Sequence, residues 1–184
     1  MFMTGYIILA IAVILILIVI GIYNSLVTKR NKVKNSWSQI DVQLKRRFDL
    51  IPNLVNTVKG YASHERETLE KIIEARNRFA SATTPAQAME ANNQLSQVLS
   101  RLAVVVEQYP NLKANENFLE LQKQLSETEN KISFSRQFYN DVVMDYNNSI
   151  QMFPSNIIAG MFGFAAEPFF EANENEKGTV EVKF

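Results

Sequence analysis

The sequence predicts an all-α protein, an N-terminal transmembrane helix followed by an antiparallel four-helix bundle whose first and last helices are long. Three observations carry this expectation. A run without charge lies near the N-terminus, and apolar residues beyond it recur at helical intervals. Only six glycines and five prolines punctuate 184 residues, so few breaks interrupt the helices.

The first element is the span. Residues 6–23 read YIILAIAVILILIVIGIY, with no charged and no strongly polar side chain. As a helix this run reaches about 27 Å, close to the hydrocarbon thickness of a bilayer. Tyr6 and Tyr23 suit the two interfaces. The preceding MFMTG carries no basic side chain and no A-x-A site follows, so a retained anchor is expected rather than a cleaved signal. Lys29, Arg30, Lys32 and Lys34 follow the span at once. This basic cluster is expected to lie at the lipid headgroups. By the positive-inside rule it places the N-terminus outside and the bundle in the cytoplasm.

The next helix is marked by Leu26, Val33, Trp37, Ile40, Leu44, Phe48, Ile51, Val55, Val58 and Ala62. Every interval is three, four or seven, the spacing of one helical face. The phase does not slip at Pro52, so one long helix bent near Phe48 to Pro52 is expected rather than two. Gly60 is the first stop signal, and Ser63 is an N-cap candidate with Glu65 and Glu67 in the first turn. The second helix then carries Leu69, Ile72, Ile73, Arg76 and Phe79 to about Ala82. Thr83-Thr84-Pro85 is a restart, a cap followed by proline at the first helical position. The third helix presents Leu95, Val98, Leu99, Leu102 and Val106 and ends near Tyr109-Pro110. The fourth carries Phe118, Leu121, Leu125, Ile132, Phe138, Val142, Met144 and Tyr146, and stops at about Phe153 before Pro154. Short connections make these four an up-down-up-down bundle. By parity the fourth returns toward the membrane.

The expected organisation is therefore a short outer N-terminus (1–5), the span (6–23), the bundle (24–153), an apolar Gly- and Phe-rich segment (154–170) and an acidic linker with a tail (171–184). The segment SNIIAGMFGFAAEPFF is too interrupted to span a bilayer. Ile157, Ile158, Met161, Phe162, Phe164, Phe169 and Phe170 are its candidates for contact with membrane or with a second copy. The bland alternative is a flap over apolar bundle surface. At the end, TVEVKF alternates, with Val180, Val182 and Phe184 on one side as a candidate tail for a cytoplasmic protein partner. A frayed terminus is the simpler reading.

Catalytic chemistry finds little support. There is no cysteine and a single histidine, His64, so thiolate and histidine metal sites lack their ligands. Glu127 and Glu129 resemble a carboxylate helix, but a di-iron bundle needs Glu-x-x-His twice. No phosphate loop, zincin motif or nucleophile elbow occurs. No cofactor, metal or enzymatic activity is expected. With 19 basic and 19 acidic residues, nothing points to nucleic acid. Polar residues flanking the apolar faces, Arg47, Asp49 and Asn53 on the first helix and Glu129, Arg136 and Asn140 on the last, are expected to set register. A weak echo links IIEARNRF (72–79) with ISFSRQFY (132–139), a repeated packing solution or a coincidence.

Several blocks in fixed order, YNSLVTKRNKVKNSWSQIDVQLKRRFDLIPNLVNTVKGYASHE, EARNRFASA, YPNLKANENFLELQKQLSETENKI, SRQFYNDVVMDYN and FPSNIIAGMFGF, closely resemble the LemA family of bacterial membrane proteins. The resemblance covers nearly the whole chain. It implies a single N-terminal membrane helix, a cytoplasmic four-helix bundle of bromodomain-like arrangement and no known enzymatic activity. The family is also similar to a magnetosome-membrane protein implicated in invagination. The expectation that follows is a self-associating scaffold that organises or remodels the inner membrane, in contact with lipid. The alternative is a tethered adapter for a cytoplasmic signalling or proteolytic partner.

Overall fold

The structure, a computed structural model, describes residues 2–62 and 64–171. Among the described residues seven helices follow in order: α1 (Phe2–Asp49), α2 (Ile51–Lys59), α3 (Arg66–Ser81), α4 (Pro85–Val106), α5 (Pro110–Lys113), α6 (Glu116–Gln151) and α7 (Ser155–Phe162). No strand occurs among the described residues. The chain forms two compact units. One combines residues 1–37 with 137–169 and the other combines 38–136 with 170–184. α1 and α6 contribute residues to both.

The start of α1 is long and apolar enough to cross a membrane, and its apolar window is entirely unburied. Side chains from Ile7 to Ile20 stand exposed along it. From Leu26 onward α1 buries one face, taking in Leu26, Val33, Ile40, Leu44 and Phe48. The same phase continues into α2 with Ile51, Leu54, Val55 and Val58. Pro52 interrupts the helix for a single residue. Leu50 keeps helical dihedrals (φ −76°, ψ −20°), and its N–H bonds Arg47 O at 3.3 Å, a tighter i−3 bond. Pro52 sits in the first turn of α2, where its missing N–H has no intrahelical role. The expected Gly60 stop occurs, with the N–H groups of Tyr61 and Ala62 both directed to Val58 O.

The core of the second unit is built from Phe48, Ile51, Val55 and Val58, from Leu69, Ile72 and Ala75 of α3, from Leu95, Leu102 and Val106 of α4, and from Phe118 and Leu125 of α6. The rings of Phe48 and Phe79 stack at 4.1 Å. α3 starts at Arg66 with Glu65 in the cap position, not at the expected Ser63, which lies outside the described residues. α4 starts as expected, with Pro85 in its first turn and Thr84 Oγ1 accepting from Gln87 N–H at 3.3 Å. The single turn α5 has no counterpart in the sequence expectation. It closes the connection by burying Leu112. α6 is capped by Asn115, whose Oδ1 accepts from Phe118 N–H at 3.0 Å.

In the first unit one expectation fails by a single residue. Phe138 and Met144 are half exposed, while Tyr139, Val143 and Tyr146 are buried. The buried series Ile132, Tyr139, Val143, Tyr146 keeps steps of seven, four and three, so helical phase outweighs side-chain hydrophobicity here. α6 ends at Gln151, and a cis Phe153–Pro154 bond lies in the connection to α7. α7 ends at Gly163, whose left-handed φ of 69° turns the chain out of the helix. Phe164 N–H returns to Ala159 O at 2.9 Å, a C-terminal cap that satisfies one orphan carbonyl.

Candidate functional site

The first unit holds the region toward which the sequence points. After Gly163 the chain runs without secondary structure to Glu171. Such a strap has no ladder of its own, so its backbone groups need partners from elsewhere. α6 supplies them from one face. Tyr146 Oη donates to Ala165 O at 3.0 Å and Tyr139 Oη donates to Pro168 O at 2.9 Å. Asn147 reads Glu167 in both directions, its Nδ2 donating to Glu167 O and its Oδ1 accepting from Glu167 N–H, each at 2.9 Å. An amide side chain is thereby paired as a second peptide strand would be.

Aromatic packing joins this arrangement to α1. Tyr23, the last residue of the apolar run, lies 4.8 Å from the ring of Phe162 and 5.8 Å from that of Phe164. The Arg30 guanidinium stands 4.9 Å from the Phe164 centroid, a cation–π geometry. Trp37 meets Tyr139 edge-on at 5.9 Å. Lys29 Nζ pairs with Asp145 Oδ1 at 2.7 Å. Burial, reinforced by the Glu167 carboxylate, pushes the Tyr139 phenol up to about 12 and raises that of Tyr146. Both phenols are held neutral, as hydrogen-bond donors to the strap must be.

The predicted contact residues divide accordingly. Ile158, Phe164 and Phe170 are buried within the chain, Phe164 beneath Arg30 and Phe170 beneath Arg136, whose guanidinium lies 5.7 Å from its ring. Ile157, Met161, Phe162 and Phe169 remain exposed. Of the basic cluster, Lys29 pairs with Asp145 and Arg30 covers Phe164, and Lys32 and Lys34 have exposed side chains. Val180, Val182 and Phe184 lie outside the described residues. Sequence reading places Tyr146 on the apolar face of the last helix but gives it no partner, and it does not assign Tyr139 and Asn147. The only signal is their placement on the inner face of α6 beside a segment with no periodicity.

A second polar cluster lies in the second unit. Arg47 is 3 % exposed, and its Nη1 donates to Asn92 Oδ1 at 2.5 Å and Ser96 Oγ at 3.0 Å. Glu129 Oε2 lies 2.7 Å from the same nitrogen. Burial lowers the Arg47 pKa, and Glu129 opposes that shift. The expected partnership of the first and last helices is therefore made by Arg47 and Glu129. A cleft of about 540 Å³ opens beside them, with Ser96, Ser126 and Gln122 on its wall. His64 is exposed, and no group of three or more His, Cys, Asp or Glu that could hold a metal gathers among the described residues.

A family model described as the LemA family matches residues 36–184. The chain belongs to the LemA family. The matched range takes in Arg47, Glu129 and the whole strap with its α6 partners, while the span lies outside it. Protein LemA of Metamycoplasma hominis is 28% identical over 164 residues, 89% of this chain and 75% of that protein. Magnetosome protein MamQ 2 of Paramagnetospirillum magneticum is 26% identical over 175 residues, 81% of this chain and 64% of that protein. Magnetosome protein MamQ of Magnetospirillum gryphiswaldense is 24% identical over 174 residues, with 80% and 64% covered. The chain thus spans under two thirds of the MamQ relatives. The chain is thus a helical protein of the LemA family, similar to MamQ, in which the unburied start of α1 is long and apolar enough to cross a membrane.

Proposed function

We propose that this LemA protein is a single-pass scaffold of the bacterial inner membrane that self-associates and organises or remodels the bilayer. In this reading its N-terminus is outside and the helices after the span form a cytoplasmic four-helix bundle of bromodomain-like arrangement. The observation that carries it is the continuity of α1. The same 48-residue helix that begins as an unburied apolar span ends inside the buried core at Phe48. The magnetosome proteins among its relatives support membrane organisation.

The contact between copies is assigned to the groove of about 600 Å³ lined by Ser38, Val42, Gln43, Lys131, Phe134 and Ser135. Phe134 is 75 % exposed and Val42 62 %. After gentle detergent extraction the protein is expected to run as a defined homo-oligomer, and Phe134→Glu to dissociate it without loss of helicity. A wild-type protein that is monomeric in native lipid, and that leaves liposome shape unchanged, would sink the reading. The adapter alternative, in which the 179–184 tail holds a cytoplasmic partner, is favoured instead if deleting that tail abolishes co-purification of one protein and leaves oligomer size intact.

A further inference from the structure

We infer that α7 is an interfacial wedge, lying in the headgroup layer of the leaflet next to the folded body, with Ile157, Met161 and Phe162 turned into lipid. The inference rests on the membrane-anchored reading and names the surface and the partner, an anionic phospholipid bilayer. Three independent features lead to it. The first is composition: from Tyr146 to Ala166 no Asp, Glu, Lys or Arg occurs, although much of this stretch is exposed. A water-facing helix surface is ordinarily charged.

The second feature is the sidedness of α7. Ile158 and Ala159 turn inward and are buried, while Ile157 and Met161, one helical turn apart, stand 53 % and 72 % exposed. Phe162 is 53 % exposed beside them, and Phe153, just before the helix, is 80 % exposed. Both faces of this helix are apolar, so solvent is a poor partner for the outer one.

The third feature fixes the depth. Tyr23 closes the apolar run of α1, where aromatic rings settle at the bilayer interface. Phe162 packs on that ring at 4.8 Å, so the exposed face of α7 continues the lipid-facing surface of the span at the same level. Arg30 lies seven residues further along α1, about 10 Å, and stands on Phe164. Together with Lys32 and Lys34 it places positive charge at the level of lipid phosphates. A helix with an apolar outer face and a neighbouring basic cluster settles about 5–10 Å into such an interface.

The chain contains no cysteine, so single nitroxide labels can be placed without background. The experiment uses full-length protein in vesicles of phosphatidylglycerol and phosphatidylethanolamine, with Ile157→Cys, Met161→Cys, Leu15→Cys in the span and Val104→Cys on the exposed surface of α4. Oxygen dissolves in lipid and a nickel chelate stays in water, so their relative relaxation of each label reports depth. Labels at 157 and 161 are expected to be relaxed more by oxygen than by nickel, as at 15, with the order reversed at 104. Nickel-dominated relaxation at 157 and 161 overturns the wedge while lipid exposure at 15 keeps the anchor. Protection from both reagents also overturns it, and assigns the face to a second copy. Failure at 15 removes the membrane-anchored reading itself.

Discussion

Arg47 shows how one side chain decides between stability and specificity. Its guanidinium is buried and takes two neutral acceptors, while the compensating Glu129 carboxylate is 39 % exposed. Removing the carboxylate strands a buried charge. Glu129→Gln is therefore expected to lower unfolding free energy by roughly 1–2 kcal/mol, less than the 3–5 kcal/mol of a fully buried pair, because water reaches Glu129. Chemical denaturation followed by circular dichroism in one detergent measures this. Arg47→Met should cost less than Glu129→Gln, since it removes the charge with its desolvation penalty. Tyr139 supports a prediction in pH. Its folded pKa of about 12 lies above the ordinary value of 10, so folding favours the neutral phenol. That contribution is whole below pH 10 and is lost as pH rises toward 12. Hydrogen exchange at Ala165 to Glu167 is expected to quicken across this window beyond its intrinsic base dependence. In Tyr139→Phe the strap is loose already at neutral pH, and the extra alkaline step is absent.

At the scale of elements, what is legible in the sequence follows from period and punctuation. The inner face of α1 and α2 can be read because nine of its ten marked apolar positions are buried and only Trp37 is half-buried. Thr84-Pro85 is legible because its cap is local. The start of α3 is not, since Glu65 takes the cap position without any side-chain cap bond. Phe138 misleads because its hydrophobicity competes with its phase, and Tyr139 continues the Ile132 series instead. The echo between 72–79 and 132–139 has a physical counterpart: Phe79 stacks on Phe48, and Tyr139 meets Trp37, both rings of α1. The strap cannot be read at all. Its hydrogen bonds come from residues 19 to 29 positions earlier, and no period in residues 163–171 encodes them. Its geometry hinges instead on Gly163. Gly163→Ala meets no steric obstacle, since nothing lies within 4 Å of the position its methyl would take, but it forces a left-handed φ on a residue with a Cβ. A cost of about 1–2 kcal/mol is expected, confined to α7 and the strap. Exchange should accelerate there and stay unchanged in α3 and α4.

For the whole molecule the question is what the span contributes to folding. The buried residues of the described chain begin at Leu26, and no side chain from Met3 to Gly21 is buried. The aromatic contacts of α1 with α7 and the strap begin at Tyr23, the last residue of the apolar run. The apolar start of α1 is therefore not part of the packed body, a separation that differs from a core helix of equal length. On the membrane-anchored reading, transfer of its aliphatic side chains into lipid, each about 1.5–3 kcal/mol, drives insertion and leaves folding to the rest. Deleting residues 1–21 while keeping Tyr23 is expected to change unfolding free energy by no more than about 0.5 kcal/mol in the same detergent. Membrane retention after carbonate washing should be lost, because one short apolar helix gives only reversible binding. The truncated chain should still bind anionic vesicles weakly, through Ile157, Met161 and Phe162 beside the basic cluster, and release at high salt. A large loss of stability would show instead that the span packs against the body, and that the unburied surface of α1 is covered by protein rather than by lipid.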